Sequence, residues 1–161
     1  LLAALSLIAC KDDVATSPAP VSLTAEAVGH YCQMDLLEHP GPKAQMHYAG
    51  RAEPDWFCDT IEMFSIYLNP EQARAIAALF VQDMGKAEWD HPQGHWIDAR
   101  TAFYVFGSKR LGGMGPTAAS FASEADARAF AAEHGGKILR FDEVTPDMVV
   151  LDGGALHDQR L

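Results

Sequence analysis

Two helix starts, Asp59 with Glu62 and Ser123 with Asp126, constrain this chain more than anything else in it. A side-chain oxygen followed three residues on by an acid satisfies the backbone N–H groups that open a helix. Before the first start lie two short runs that read as strands, Lys43-Ala-Gln-Met-His-Tyr48 and Asp55-Trp-Phe-Cys58. Ile61, Phe64 and Leu68 supply the buried face of the first helix, which stops before Pro70. Glu71 to Ala78 reads as a further helical turn leading into a strand, Leu79-Phe-Val-Gln-Asp83. The second start follows the same order. Ala102 to Phe106 and Ala118 to Phe121 precede it, and Lys137 to Phe141 follows. Its helix turns Ala127, Phe130 and Ala131 inward and ends at Gly135-Gly136. The expected fold is α+β, two similar ββαβ halves at about 28–90 and 91–150 sharing one core, in a folded part that spans 28–161.

The residues ahead of that part have another character. Leu1 to Ala9 is an apolar run too short to span a membrane, and it reads as the core of a secretory signal from a truncated precursor. Leu-Ile-Ala-Cys10 resembles a bacterial lipobox, in which the cysteine is lipidated and anchors the chain to a membrane. Residues 10–27, rich in Ser, Pro, Ala and Thr, read as a tether that packs loosely or not at all. The folded part is expected to face the periplasm. A net charge of -10 and a pI near 5.0 argue against nucleic acid as a partner.

Cys32-Gln33-Met34 carries the chemistry. In an extended segment the two sulfurs project from one face, and soft donors of this kind select Cu(I) over hard ions. Met114 stands among glycines in Leu111-Gly-Gly-Met-Gly-Pro116, where a loop thioether can swing onto or off an ion. His30, two residues before Cys32, completes a sulfur-sulfur-nitrogen set. His39 and His47 read as solvent-facing, and His91 and His95 as loop residues, with Pro92 and Gly94 between them. Met46, Met63, Met84 and Met148 lie in periodic segments and read as core. Cys58 precedes a helix whose N-terminus favours a thiolate, so it reads as an auxiliary ligand or a half-buried cysteine. In an oxidising compartment a Cys32–Cys58 disulfide is the alternative. The chain contains no Gly-x-Ser-x-Gly elbow, no phosphate loop, no His-Glu-x-x-His and no Cys-x-x-Cys.

The pattern as a whole resembles the NosL family of copper-binding lipoproteins. The matching pieces are Leu-Ile-Ala-Cys10, Cys32-Gln-Met-Asp-Leu-Leu-Glu-His-Pro-Gly-Pro-Lys-Ala-Gln45 and Trp56-Phe57 before the first helix. Asp83-Met-Gly-Lys86, Trp96-Ile-Asp-Ala99, Tyr104-Val105, Gly112-Gly-Met-Gly115 and His134-Gly-Gly-Lys137 continue it. Members commonly show Cys-Gly-Met, from which Gln33 departs. The resemblance implies a fold related to the carboxy-terminal domain of organomercury lyase. It implies one Cu(I) held by Cys32 and Met114, with Met34 beside them, and a lipid anchor on Cys10. It also implies delivery to the nitrous-oxide reductase apoprotein, assisted by a membrane ABC-type assembly complex, with no catalysis by the chain itself. Two rivals stay open: a thiol enzyme using Cys32 and Cys58, and a metal-free adaptor in which those cysteines form a structural disulfide.

Overall fold

The structure is a computed structural model that describes residues 17–151. Strand β1 (Ala44–Tyr48) is an interior strand of the first sheet, flanked by the antiparallel strands β2 (Asp55–Phe57) and β3 (Ile76–Gln82). Strand β4 (Trp96–Asp98) extends this sheet along β3, giving the order β2-β1-β3-β4. Helix α1 (Thr60–Tyr67) connects β2 to β3. The second sheet is ordered β8-β5-β9, from β5 (Phe103–Phe106), β8 (Ala119–Phe121) and β9 (Lys137–Arg140). Helix α2 (Glu124–His134) connects β8 to β9. A small hairpin, β6 (Leu111–Gly112) with β7 (Gly115–Pro116), carries Met114 at its turn. Among the described residues, no helix is long and apolar enough to cross a membrane.

The helix starts behave as their sequences require. Asp59 accepts the Glu62 backbone N–H at 2.9 Å, and the Ser123 side chain accepts that of Asp126 at 3.1 Å. The first box is not closed, however. The Glu62 carboxylate reaches one residue beyond the cap and accepts the Cys58 backbone N–H at 3.1 Å. On α1 the fully buried apolar residues are Met63 and Phe64, while Ile61 and Leu68 pack at the edge of the core. Phe64 meets Tyr104, Phe106 and Phe141 at ring-centroid distances of 4.9, 6.1 and 5.1 Å. One aromatic cluster therefore joins α1 to β5 and to the turn after β9. Ser120 fastens the sheets together, its hydroxyl donating to the Gln82 carbonyl at 2.6 Å. Its own carbonyl accepts the Met84 N–H at 2.8 Å.

Several expectations need correction. Residues 76–78 belong to β3 rather than to a helical turn, because pairing with β1 outweighs the helix preference of Ala77 and Ala78. His47 is not solvent-facing. It is 2% exposed, its Nε2 lies 2.9 Å from Gln45 Oε1, and burial lowers its pKa. Met46 and Met63 are core, but Met148 is 40% exposed. Along the expected tether, Val21 forms a reciprocal pair with the buried Gln45. The Val21 N–H donates to Gln45 Oε1, and the Gln45 amide returns a bond to the Val21 carbonyl, both at 2.9 Å.

Candidate metal centre

Residues 28 to 35 form a tight loop rather than an extended strand. Val28 and Asp35 bridge antiparallel, the Gly29 N–H donates to the Met34 carbonyl, and the Gln33 N–H donates back to the Gly29 carbonyl, both at 2.9 Å. Cys32 and Met34 therefore do not share one face of an extended strand, as their spacing suggests. Gln33 sits at a φ of 58°, the left-handed region that glycine enters without a steric penalty. Its side-chain amide offsets part of that cost by donating to the His30 carbonyl at 2.8 Å and the Gly29 carbonyl at 3.2 Å.

The loop folds onto β2 and onto Cys58, the residue that follows it. The His30 N–H donates to the Trp56 carbonyl at 2.7 Å, and the Cys32 and Cys58 sulfurs are joined as a disulfide. Cys58 is fully buried and Cys32 half-buried. Gly29 lies directly beneath the pair. A Cβ there would overlap Cys32 Sγ and stand 3.4 Å from Cys58 Sγ, so only glycine fits. Glu62 Oε2 lies 3.2 Å from Cys58 Sγ, and Glu62 Oε1 has no hydrogen-bond partner among the described residues. Cys32, Cys58 and Glu62 place three donor atoms within 4.8 Å of one another. His30 is outside this group. Its ring is turned towards Asp55, with Nδ1 3.7 Å from Oδ1.

Met114 sits at the same end of the molecule. The Leu36–Gly41 stretch that follows Cys32 packs against the Met114 hairpin. A Cβ on Gly113 would meet the His39 side chain at 2.6 Å, and one on Gly41 the Gly112 Cα at 3.0 Å. The Trp89 indole N–H donates to the Leu111 carbonyl at 3.0 Å. Met114, 42% exposed, lines a cavity of about 160 Å³ together with Met148, Ile61 and Asp59, the residue after Cys58.

Sequence reasoning missed Lys43 and the second role of Glu62. Lys43 is fully buried, and its ammonium donates to the carbonyls of Pro40, Gly41 and Cys58 at 3.0, 3.0 and 3.2 Å. It thereby ties the loop after Cys32 to Cys58, two residues before α1. Burial lowers the Lys43 pKa to about 8, against the attraction of Asp59 and Glu62. Glu62 moves the other way: burial, reinforced by Asp59, raises its pKa to about 7, against the hydrogen bond from Cys58. A Lys-Ala-Gln strand gives no sign that its first residue is buried. The four-residue step from Cys58 to Glu62 across a helix start was the available signal for the second role.

These shifts set a pH dependence. Between the unfolded Glu62 pKa of 4.5 and the folded value of about 7, the folded chain holds more protons, so stability falls as pH rises. Between the folded Lys43 value of about 8 and the unfolded 10.5, the unfolded chain holds more protons, so stability rises with pH. These two groups together produce a stability minimum between about pH 7 and pH 8. Urea midpoints measured from about pH 4 to pH 10 should trace it, and Glu62→Gln should flatten the acid-side slope. An unchanged slope in Glu62→Gln would remove Glu62 as its source.

The chain is similar to known proteins over most of its length. The NosL family model matches residues 20–149. The chain is 48% identical over 153 residues to a copper-binding lipoprotein NosL of Achromobacter cycloclastes, covering 92% of this chain and 79% of that one. It is 39% identical over 165 residues to a copper-binding lipoprotein NosL of Stutzerimonas stutzeri, covering 98% and 86%. The crystal structure of the copper chaperone NosL from Shewanella denitrificans superposes with a TM-score of 0.75 at 35% identity, covering 81% of this chain and 98% of that chain.

Proposed function

The chain belongs to the NosL family, and from that premise we propose that it is a lipid-anchored, periplasm-facing copper chaperone. In its reduced form it holds Cu(I) on Cys32 and Met114 and passes it to the nitrous-oxide reductase apoprotein, with a membrane ABC-type complex assisting. The observation that carries this reading is the approach of the Met114 hairpin to His39 and Gly41, which follow the Cys32 loop, and to Asp59, which follows Cys58. The names and sequence identity of the relatives support copper as the cargo. The donor chemistry supports the oxidation state, because a thiolate with thioethers suits Cu(I) better than Cu(II) or Zn(II). The matching orders β2-β1-β3 and β8-β5-β9, each with its helix between the second and third strand in sequence, support the reading of two similar ββαβ halves.

The mechanism follows from which donors are fixed and which can move. Cys32 is held by a hydrogen-bonded loop, and as a thiolate it supplies most of the affinity. Met114 is an exposed thioether on a two-strand hairpin bordered by glycines, so it can yield its place to an incoming donor. Copper then crosses by ligand exchange, one donor at a time. Met34 is half-buried in the same loop and remains a candidate for the next donor, whereas His30 faces Asp55. Cys10 and the signal segment lie outside the described residues, and the anchor is read by mass spectrometry of acyl chains on mature Cys10.

Anaerobic titration of the reduced chain is expected to show about one Cu(I) bound, far more tightly than Zn(II). Met114→Leu should weaken Cu(I) binding while leaving the thermal midpoint nearly unchanged, since the side chain is exposed. Equal affinity for Zn(II) and Cu(I), or a Met114→Leu variant that binds like the parent, would overturn this site.

A further inference from the structure

We propose that Cys58 is a second thiolate ligand for Cu(I), and that the Cys32–Cys58 disulfide is the closed, copper-refusing form of the same site. This inference rests on the chaperone reading above and deepens it. Each sulfur can belong to a disulfide or to a thiolate–metal bond, not to both, so copper binding and oxidation compete for one pair of atoms.

The geometry favours an ion between the two sulfurs. The Cα atoms of Cys32 and Cys58 stand 7.3 Å apart, wider than the roughly 4.4–6.8 Å usual for bridged cysteines. Two metal–thiolate bonds of about 2.3 Å span at most about 4.6 Å between sulfurs. A small separation of the released thiols therefore suffices. Gly29 lets the Cys32 sulfur lie directly against the backbone, where any Cβ would overlap it. Two thiolates and Cu(I) carry a net negative charge, and the Lys43 ammonium, hydrogen-bonded to the Cys58 carbonyl, offsets part of it. Glu62 adds a polar partner to Cys58 Sγ at 3.2 Å, but a carboxylate is a poor ligand for so soft an ion. Its part is to orient the Cys58 thiol before the metal enters.

The chemistry balances. A dithiol reductant gives two electrons and two protons to the Cys32–Cys58 bond, which breaks to two thiols as the reductant closes its own disulfide. Cu(I) then displaces one proton from each thiol and forms two S–Cu bonds without changing oxidation state. Met114, across the cavity beside Asp59, remains the displaceable third donor.

The test uses the full chain under anaerobic conditions, with thiols counted before and after treatment with a dithiol. Copper affinity is read by competition with a chromogenic Cu(I) chelator, and the ligand set by copper and sulfur X-ray absorption. Reduction should release two thiols beyond any present before and raise Cu(I) affinity by at least about 100-fold, a gap of about 2.7 kcal/mol. The loaded wild type should show two copper-bound thiolates at the sulfur X-ray edge, which separates thiolate from the Met114 thioether. Cys58→Ser should show one, bind at least about 10-fold more weakly than the reduced wild type, and lose its dependence on reductant. Should Cys58→Ser fail to fold, the thiolate count in the wild type decides. A single copper-bound thiolate there, or a folded Cys58→Ser that binds as tightly as the reduced wild type, overturns this inference. A Cys32→Ser variant that keeps full affinity overturns the chaperone site itself, so the two failures are distinguishable.

Discussion

Cys32→Ser is expected to lower Cu(I) affinity by about 1,000-fold or more, roughly 4 kcal/mol, relative to the reduced wild type. Serine keeps the size and removes the soft anion, and a hydroxyl oxygen does not ionise at neutral pH to take its place. The fold should survive. Cys32 is half-buried in a loop whose backbone hydrogen bonds, between Gly29 and Met34 and between Gln33 and Gly29, do not involve the sulfur. Comparison with the reduced wild type matters, since the oxidised chain also carries a covalent link whose loss lowers stability for reasons unrelated to copper. Chelator competition supplies the affinity and circular dichroism the fold. Full affinity in a folded Cys32→Ser variant would leave the proposed site without its principal ligand.

Phe64→Ala is expected to cost about 3–5 kcal/mol, the range for emptying a large aromatic site in a packed core. Phe64 is fully buried on α1 and touches rings from β5 and from the turn after β9, so its loss opens the seam between the two sheets. For a chain of this size the thermal midpoint should fall by about 10–15 °C. Tyr31→Ala, at a residue 53% exposed, provides the contrast and should stay within about 0.5 kcal/mol. A midpoint shift for Phe64→Ala no larger than that for Tyr31→Ala would show that the aromatic cluster does not hold the sheets together.

Local signals in the sequence were good guides to local structure. Asp59 and Ser123 cap the two helices as their spacing requires, and Gly135 follows the second helix at a φ of 76°. Residues 103–106 are aromatic or β-branched, and they form a strand. Failures came where distant partners decide. Ile76 to Ala78 contains two helix-favouring alanines and became strand because β1 lies alongside. Lys43, Gln45 and His47 alternate with apolar residues as though they faced water, yet all three are buried. Lys43 meets loop carbonyls, Gln45 meets the Val21 backbone, and His47 meets Gln45. The candidate site divides in the same way. Cys32 and Met114 stand out by residue type, whereas the approach of Cys58 and Glu62 to Cys32 depends on the closure of the 28–35 loop, which the spacing of residues does not record.

Gln45 acts on the chain before the fold as well as on the sheet. By gripping the Val21 backbone on both its N–H and its carbonyl, it fixes where the leash to the proposed Cys10 anchor begins. Eleven residue steps separate Cys10 from Val21, and at about 3.3–3.6 Å each they span at most about 40 Å. Were the chain free up to Val28, eighteen steps would allow about 60 Å. A domain held within the shorter radius searches a volume about 3-fold smaller, so any acceptor in that shell meets it at a correspondingly higher effective concentration. The glutamine thereby sets how far the folded part can stand from the proposed anchor.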